Sequence, residues 1–380
     1  MKETKITLLE DTVEDEDIHY NKASLDRPFR PNEIQIETPP FTIGYLMDRI
    51  EHGEINMNTD FQREGNLWRP QQQSRLIESI LLGLPLPAFY FDTSPEAWDI
   101  IDGLQRCCSI QNFCVSKTLK LSGLEYLPMN GLGFDDLDRP TQRIIITRPI
   151  DVNLLKKSPA NVRYILFKRL NTEGLTLKPP EIRNAIYRGV ATKALAELAT
   201  LPEFVTATCG KISTKRMEDK DFVCRFVAFY LTDYNNYTPS LDEFLNSSME
   251  LLSNADIKKL KQDFSKALSL ATEIFGEDAF RKRTQADAQR HPINKAYFEV
   301  ITVSFSKLSN KEQQSLRKHS ELFKENLLEL MNNKRFFSSL SATGTPDSVH
   351  IRFSWFQQVM QKSIAGKIIR IGDDNKIKAV

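Results

Sequence analysis

What the sequence lacks narrows its reading first. Its five cysteines, Cys107, Cys108, Cys114, Cys209 and Cys224, are odd in number and form no CxxC pair. Neither a disulfide framework nor a thiolate zinc centre is expected, which suits a reducing compartment. The five histidines are scattered, so no HExxH or paired HxH ligand set exists. No stretch approaches the roughly 20 apolar residues that span a bilayer. The acidic start MKETKITLLEDTVEDEDIHY has no signal-peptide apolar core. A cytoplasmic protein with no membrane partner is expected. Repeats of fixed period and low-complexity tracts are missing as well, so the second half reads as one helical domain.

What is present is globular in kind. With 380 residues, 41% hydrophobic and 27% charged, the chain is long enough for two or three domains, each with its own core. The formal net charge of +1 hides an asymmetry, because residues 1–20 hold seven acids and two lysines. The remainder is mildly basic, compatible with a local nucleic-acid surface and equally with ordinary solvated charge.

The organisation follows from composition and period. Residues 1–35 read as an acidic, mobile leader with little apolar periodicity. In PPFTIGYLMDRIEHG, Thr42 can cap a helix whose apolar face is Leu46, Met47 and Ile50, with Gly53 at its end. Ile55 and Met57 alternate as in a short strand. Pro70 opens a second helix, with Leu76, Ile77, Ile80 and Leu81 as its stripe and Gly83 as its stop. PLPAFYFD and AWDIID then form a strand pair. From about residue 155, spacings of three and four dominate, and Ser240 with Glu243 marks one helix start by a capping-box pattern. The fold class is α+β: a small mixed-sheet domain over 36–155, then a mainly α-helical domain over 156–380.

The stretch IIDGLQRCCSIQNF, at the exit of the second strand of that pair, admits two readings. In the structural one, Asp102 caps a helix, Gln105 completes a D-x-x-Q box, and Leu104, Cys107 and Cys108 form a buried face. In the functional one, the first helical N–H groups and the positive dipole end face a phosphate, Gly103 lets it approach the backbone, and Arg106 offers a planar fork. The Asp102 carboxylate repels a phosphate unless a cation such as Mg2+ lies between them. Elsewhere, Arg63, Arg69 and Arg75 surround Trp68 in sequence, and Lys168 and Arg169 precede an Asn171-Thr172-Glu173-Gly174 turn. Trp68 reads as core, and the arginines as surface or as phosphate contacts.

Three segments in order, FQREGNLWRPQQQSRLIESILLGLPLPAFYF, DIIDGLQRCCSIQNF and FKRLNTEGLTLKPPEIRNA, resemble the N-terminal domain family of GmrSD-type restriction endonucleases, within the ParB/sulfiredoxin-like superfamily. Weaker likeness runs on through KRMEDKDFVCRFVAF and HPINKAYFEVITVSF. The resemblance implies a ParB/sulfiredoxin-like nucleotide-binding domain that hydrolyses an NTP with Mg2+, in bacterial defence against foreign DNA. Its D-G-Q-Q-R hallmark is matched by Asp102, Gly103, Gln105 and Arg106. By that resemblance Asp102, Gln105 and Arg106 are the catalytic candidates, with Asp102 on the metal. Gly103, Gln62, Arg63, Arg169 and Asn171 are the nucleotide and phosphate contacts. DNA and a separate nuclease or other defence effector are the implied partners.

Two departures matter. Leu104 stands where the family has glutamine, and a leucine can neither orient water nor contact a polar group of a nucleotide. Residues 311–380 hold only His319 and His350, without HNH-like spacing, so no HNH nuclease is expected there. Sulfiredoxin chemistry is also set aside, since its reactive cysteine falls at Leu104. The alternatives to an NTPase are a ParB-like DNA nuclease and a non-catalytic module whose assembly a nucleotide or DNA controls.

Overall fold

The computed structural model describes Val13 and residues 35–57, 68–93, 96–156, 159–170, 178–187, 189–237, 240–284, 291–372 and 374–379. The chain divides into two compact units, Asp26–Ile186 and one that contains Tyr187–Val380. The fold is α+β, with the sheet in the first unit and a mainly helical second unit. No helix among the described residues is long and apolar enough to cross a membrane.

The first unit is built on five strands in the order β1-β5-β3-β4-β2. They are β1 (Gln35–Glu37), β2 (Ile55–Asn56), β3 (Phe89–Asp92), β4 (Trp98–Asp102) and β5 (Val152–Lys156). β3 pairs antiparallel with β4 and parallel with β5; β1 is antiparallel to β5, and β2 runs parallel to β4. Both faces of this mixed sheet are covered, because neighbouring strand residues point opposite ways. Ile100 and Leu154 join a core with helices α1 (Ile43–Glu51), α2 (Pro70–Leu82) and α3 (Leu104–Ile110). α4 (Arg139–Thr147) closes that layer through Ile145. Ile101 and Leu155 face the other way and meet Tyr164, Phe167, Ile182 and Ala185 of α5 (Ala160–Leu170) and α6 (Pro179–Ile186). Arg163 of α5 reaches Asp92 at 2.5 Å and ties that helix to β3. The sequence period groups these two helices with the helical half, yet their apolar sides lie on the sheet.

Local signals explain the element ends. Thr42 caps α1 by accepting from the Tyr45 N–H at 3.3 Å, and Pro70 opens α2. Gly83 ends α2 at φ +78°, where other residues are strained. Opposite Tyr90 and Phe91 of β3, strand β4 carries one extra residue, a β-bulge: Tyr90 pairs with Asp102 and Phe91 with Ile100. Beyond Ile110, α3 widens into a π-helical turn over Gln111–Val115, which buries Phe113 and Cys114.

The long segment between that turn and α4 is held from beneath. Glu78, 3% exposed on α2, accepts N–H bonds from Glu125 (3.0 Å), Tyr126 (2.7 Å) and Leu127 (2.8 Å). Ser74 accepts from the Ser122 N–H at 3.0 Å. Burial raises the Glu78 carboxyl, and the three N–H donors more than offset it, leaving the group below its ordinary value.

In the second unit, ten described helices enclose a phenylalanine-rich core. They are α7 (Val190–Ala199), α8 (Pro202–Ala207), α9 (Glu218–Leu231), α10 (Leu241–Leu252), α11 (Ile257–Phe275), α12 (Lys295–Ser306), α13 (Asn310–Lys318), α14 (Ser320–Asn332), α15 (Lys334–Ser339) and α16 (Pro346–Ile364). A two-stranded ribbon, β6 (Ile369–Ile371) and β7 (Ile377–Ala379), follows. Rings of α9, α11 and α12 interlock, with Phe226 on Phe264 at 4.3 Å and Phe222 against Phe298 at 5.1 Å. Inside this core Glu299, fully buried, pairs with Arg352 and, at 3.4 Å, with Arg225.

Glu78 stabilises the folded state above the ordinary glutamate value, and that stability is lost as pH falls through its lower folded value. Glu78→Gln is expected to cost about 1–3 kcal/mol at neutral pH by weakening three buried N–H bonds. Urea midpoints of wild type and variant should converge on acidification from about pH 7 to below about pH 4.

Candidate functional site

The apolar run ending in Ile100 and Ile101 makes β4, and the chain leaves that strand through Asp102 and Gly103 into α3. The expected cap is not what forms. Asp102 is the last strand residue, and Gly103, at φ +102° with no side chain to offer, is the N-cap. The Asp102 carboxylate is drawn instead to Arg106, one helical turn on, at 2.8 Å. Gln105 does not complete a capping box either. Its Oε1 accepts the Trp68 N–H at 2.9 Å, while the Trp68 carbonyl accepts from Gln73 at 2.7 Å and Gln73 accepts from Asn112 at 3.0 Å. Trp68, half-buried against the first core, is thus fastened on both sides of its backbone.

Arg106 reaches inward and is 8% exposed. Its Nη1 donates to the Pro87 carbonyl and its Nη2 to the Ala88 carbonyl at 3.2 Å, beside the Asp102 contact. The guanidinium carbon lies 4.4 Å from the centre of the Phe89 ring. This fork holds the entry to β3, the exit of β4 and the first turn of α3 at one point. The Asp102 side chain is 30% exposed and so remains within reach of solvent. Burial pushes its carboxyl above the ordinary aspartate value against the pull of Arg106, and burial likewise lowers Arg106.

Gly103 has a structural reason to be glycine. A Cβ there would lie 2.6 Å from Cδ1 of Phe89 and 3.3 Å from Nη2 of Arg106, so the missing side chain makes room for protein rather than for a ligand. Arg169 is exposed in the last turn of α5, a helix that packs against β4. Gln62, Arg63 and Asn171 lie outside the described residues. Among the described residues no three of His, Cys, Asp and Glu converge as a metal site.

A family model described as GmrSD restriction endonuclease, N-terminal domain, matches residues 43–188. Over that range, which is under half of its length, the chain is similar to that family. The matched range runs from the first turn of α1 to just beyond α6, so it takes in the sheet from β2 onward and the helices on both its faces. Searches of curated proteins and of solved structures give no match.

Within the matched range, Leu104 is 9% exposed and packs in the first core, which explains why an apolar residue is tolerated there. The neighbouring thiols are packing groups. Burial pushes Cys108 up to about 11, Cys114 up to about 12 and the fully buried Cys107 higher still, so all three are neutral near pH 7. Sequence reasoning missed the partners of Arg106, although the Asp102–Arg106 spacing of four is the signal for a helical ion pair. The carbonyls of Pro87 and Ala88 carry no sequence signal.

Gly103→Ala meets both a positive φ and the Phe89 ring. Strain and overpacking of about 1–3 kcal/mol each should lower the urea midpoint of the first unit; an unchanged midpoint would show that the backbone relaxes there.

Proposed function

We propose that the chain is a restriction-like defence component whose GmrSD N-terminal domain binds an NTP at the Asp102–Arg106 loop and hydrolyses it, while DNA or a partner effector is sensed elsewhere. The observation that carries this reading is the strand-end Asp102: a part-exposed carboxylate, oriented by an arginine, in the motif that the family match spans. Magnesium brought in by the nucleotide would neutralise phosphate charge, and Asp102 would hold it.

The chain's own groups divide the remaining work. Asp102 faces the ligand. Arg106 fixes the direction of that carboxylate and the strand ends around it, which makes it a positioning residue. Gln105 fixes Trp68 by accepting its N–H. First-turn amides of α3 supply N–H groups that suit phosphate oxygens.

A second reading, nucleotide binding without turnover, is favoured by the commitment of Arg106 and Gln105 to protein partners and by the burial of Leu104. Phosphate release from ATP and GTP with Mg2+ separates the two. Wild type should turn over, and Asp102→Asn, which keeps an acceptor for Arg106, should lose about 100-fold or more. Equal rates in both proteins sink the hydrolysis claim. Tight binding with no release in wild type selects the second reading, and Leu104→Gln should then leave binding intact. DNA sensing predicts binding that weakens steeply with salt, by roughly tenfold or more between about 50 and 200 mM.

A further inference from the structure

In the second unit, α11, α12 and α14 surround a cavity of about 460 Å3, a size typical of small-molecule sites. Its apolar lining comes from Phe275, Leu327, Leu328 and Met331. Tyr297 lines it as well and is 4% exposed, and its hydroxyl has no hydrogen-bond partner among the described residues. Burial raises the phenol further above its ordinary value, so that hydroxyl stays protonated and neutral. A hydroxyl on a cavity wall with no partner among the described residues is free to bond a ligand there.

The charges around the cavity tell against an ionic ligand. Arg283 pairs with Asp278 at 2.7 Å and Lys324 with Glu321 at 2.8 Å, and Arg281 and Glu325 complete the charged lining, so three cations stand against three carboxylates. A phosphate would meet as many carboxylates as cations. A plain hydrocarbon would leave the Tyr297 hydroxyl unsatisfied. A flat, neutral molecule with an apolar face and hydrogen-bonding groups on its edge satisfies both conditions.

We infer that this cavity binds a neutral planar heterocycle of nucleobase size, with its face against Phe275, Leu327 and Met331 and its edge on the Tyr297 hydroxyl. Such a ring has two sources, a free nucleoside or a base swung out of a nucleic-acid strand, and the assignment does not depend on the NTP site of the first unit.

Equilibrium binding to the full chain tests it with adenosine, guanosine, cytidine and thymidine, a single-stranded oligonucleotide carrying 2-aminopurine, and decanoate as an aliphatic control. At least one nucleoside or the oligonucleotide should bind. Tyr297→Phe, which removes one oxygen from a side chain without other hydrogen bonds, should weaken binding about tenfold at unchanged melting temperature. Leu328→Trp should fill the space and abolish binding. Binding by free nucleosides identifies a soluble ligand, and binding by the oligonucleotide alone identifies a base delivered on a strand. The inference is overturned if none of these probes binds, if decanoate binds as well as they do, or if Tyr297→Phe leaves their affinity unchanged.

Discussion

The first unit turns on the guanidinium of Arg106. Two backbone carbonyls before β3, a carboxylate at the end of β4 and the face of an aromatic ring all converge on it. A planar fork can serve several acceptors at fixed angles where an ammonium group serves them as a point charge. Removing it would take the donor from two backbone carbonyls and leave Asp102 without its counter-charge, so the arginine of this motif has a structural role before any phosphate arrives. The same contacts leave the carboxylate of Asp102 oriented and partly open. A group that must act on a ligand is thereby held by one that need not touch it.

The second unit uses buried charge differently. Glu299 stands between Arg352 and Arg225 inside a core of interlocking phenylalanines, and Lys295 binds Asp221 at 3.2 Å nearby. Ion pairs of this kind add little net stability over apolar packing but penalise any arrangement that separates the partners. They set which helix faces meet, α9 and α16 each presenting an arginine to the one glutamate of α12. Near the edge of that core, Tyr297 of the same helix has a hydroxyl with no partner among the described residues, and it is this contrast that marks the cavity beside it.

Much of the fold was legible because local chemistry and burial agreed. Thr42, Pro70 and Gly83 mark helix ends whose reasons are purely local, and the structure places them as their residue types require. PLPAFYFD and AWDIID pair as a strand couple because alternation and turn residues point the same way. The helices after β5 were harder to place, since a helical period says which side is apolar but not whether a sheet or another helix covers it. The site was half legible. The Asp102-to-Arg106 stretch could be singled out, yet a cap and an ion pair use the same aspartate, and only tertiary contacts decide between them. The carbonyls of Pro87 and Ala88 chose the direction of Arg106, and a carbonyl belongs to every residue alike.

The stretch 102–110 lies between two irregularities, the bulge of β4 and the π-helical turn after Ile110. Each amounts to one residue more than a regular ladder or α-helix would hold. Chain length is therefore elastic on both sides of the motif and rigid within it. A deletion of a single residue could be absorbed at either flank by restoring regular geometry, whereas inside the stretch it would rotate Arg106 by about 100° away from its carbonyls. The protein has in effect two expansion joints around its least adjustable segment, and the tolerance of the chain to change in length should be read from them.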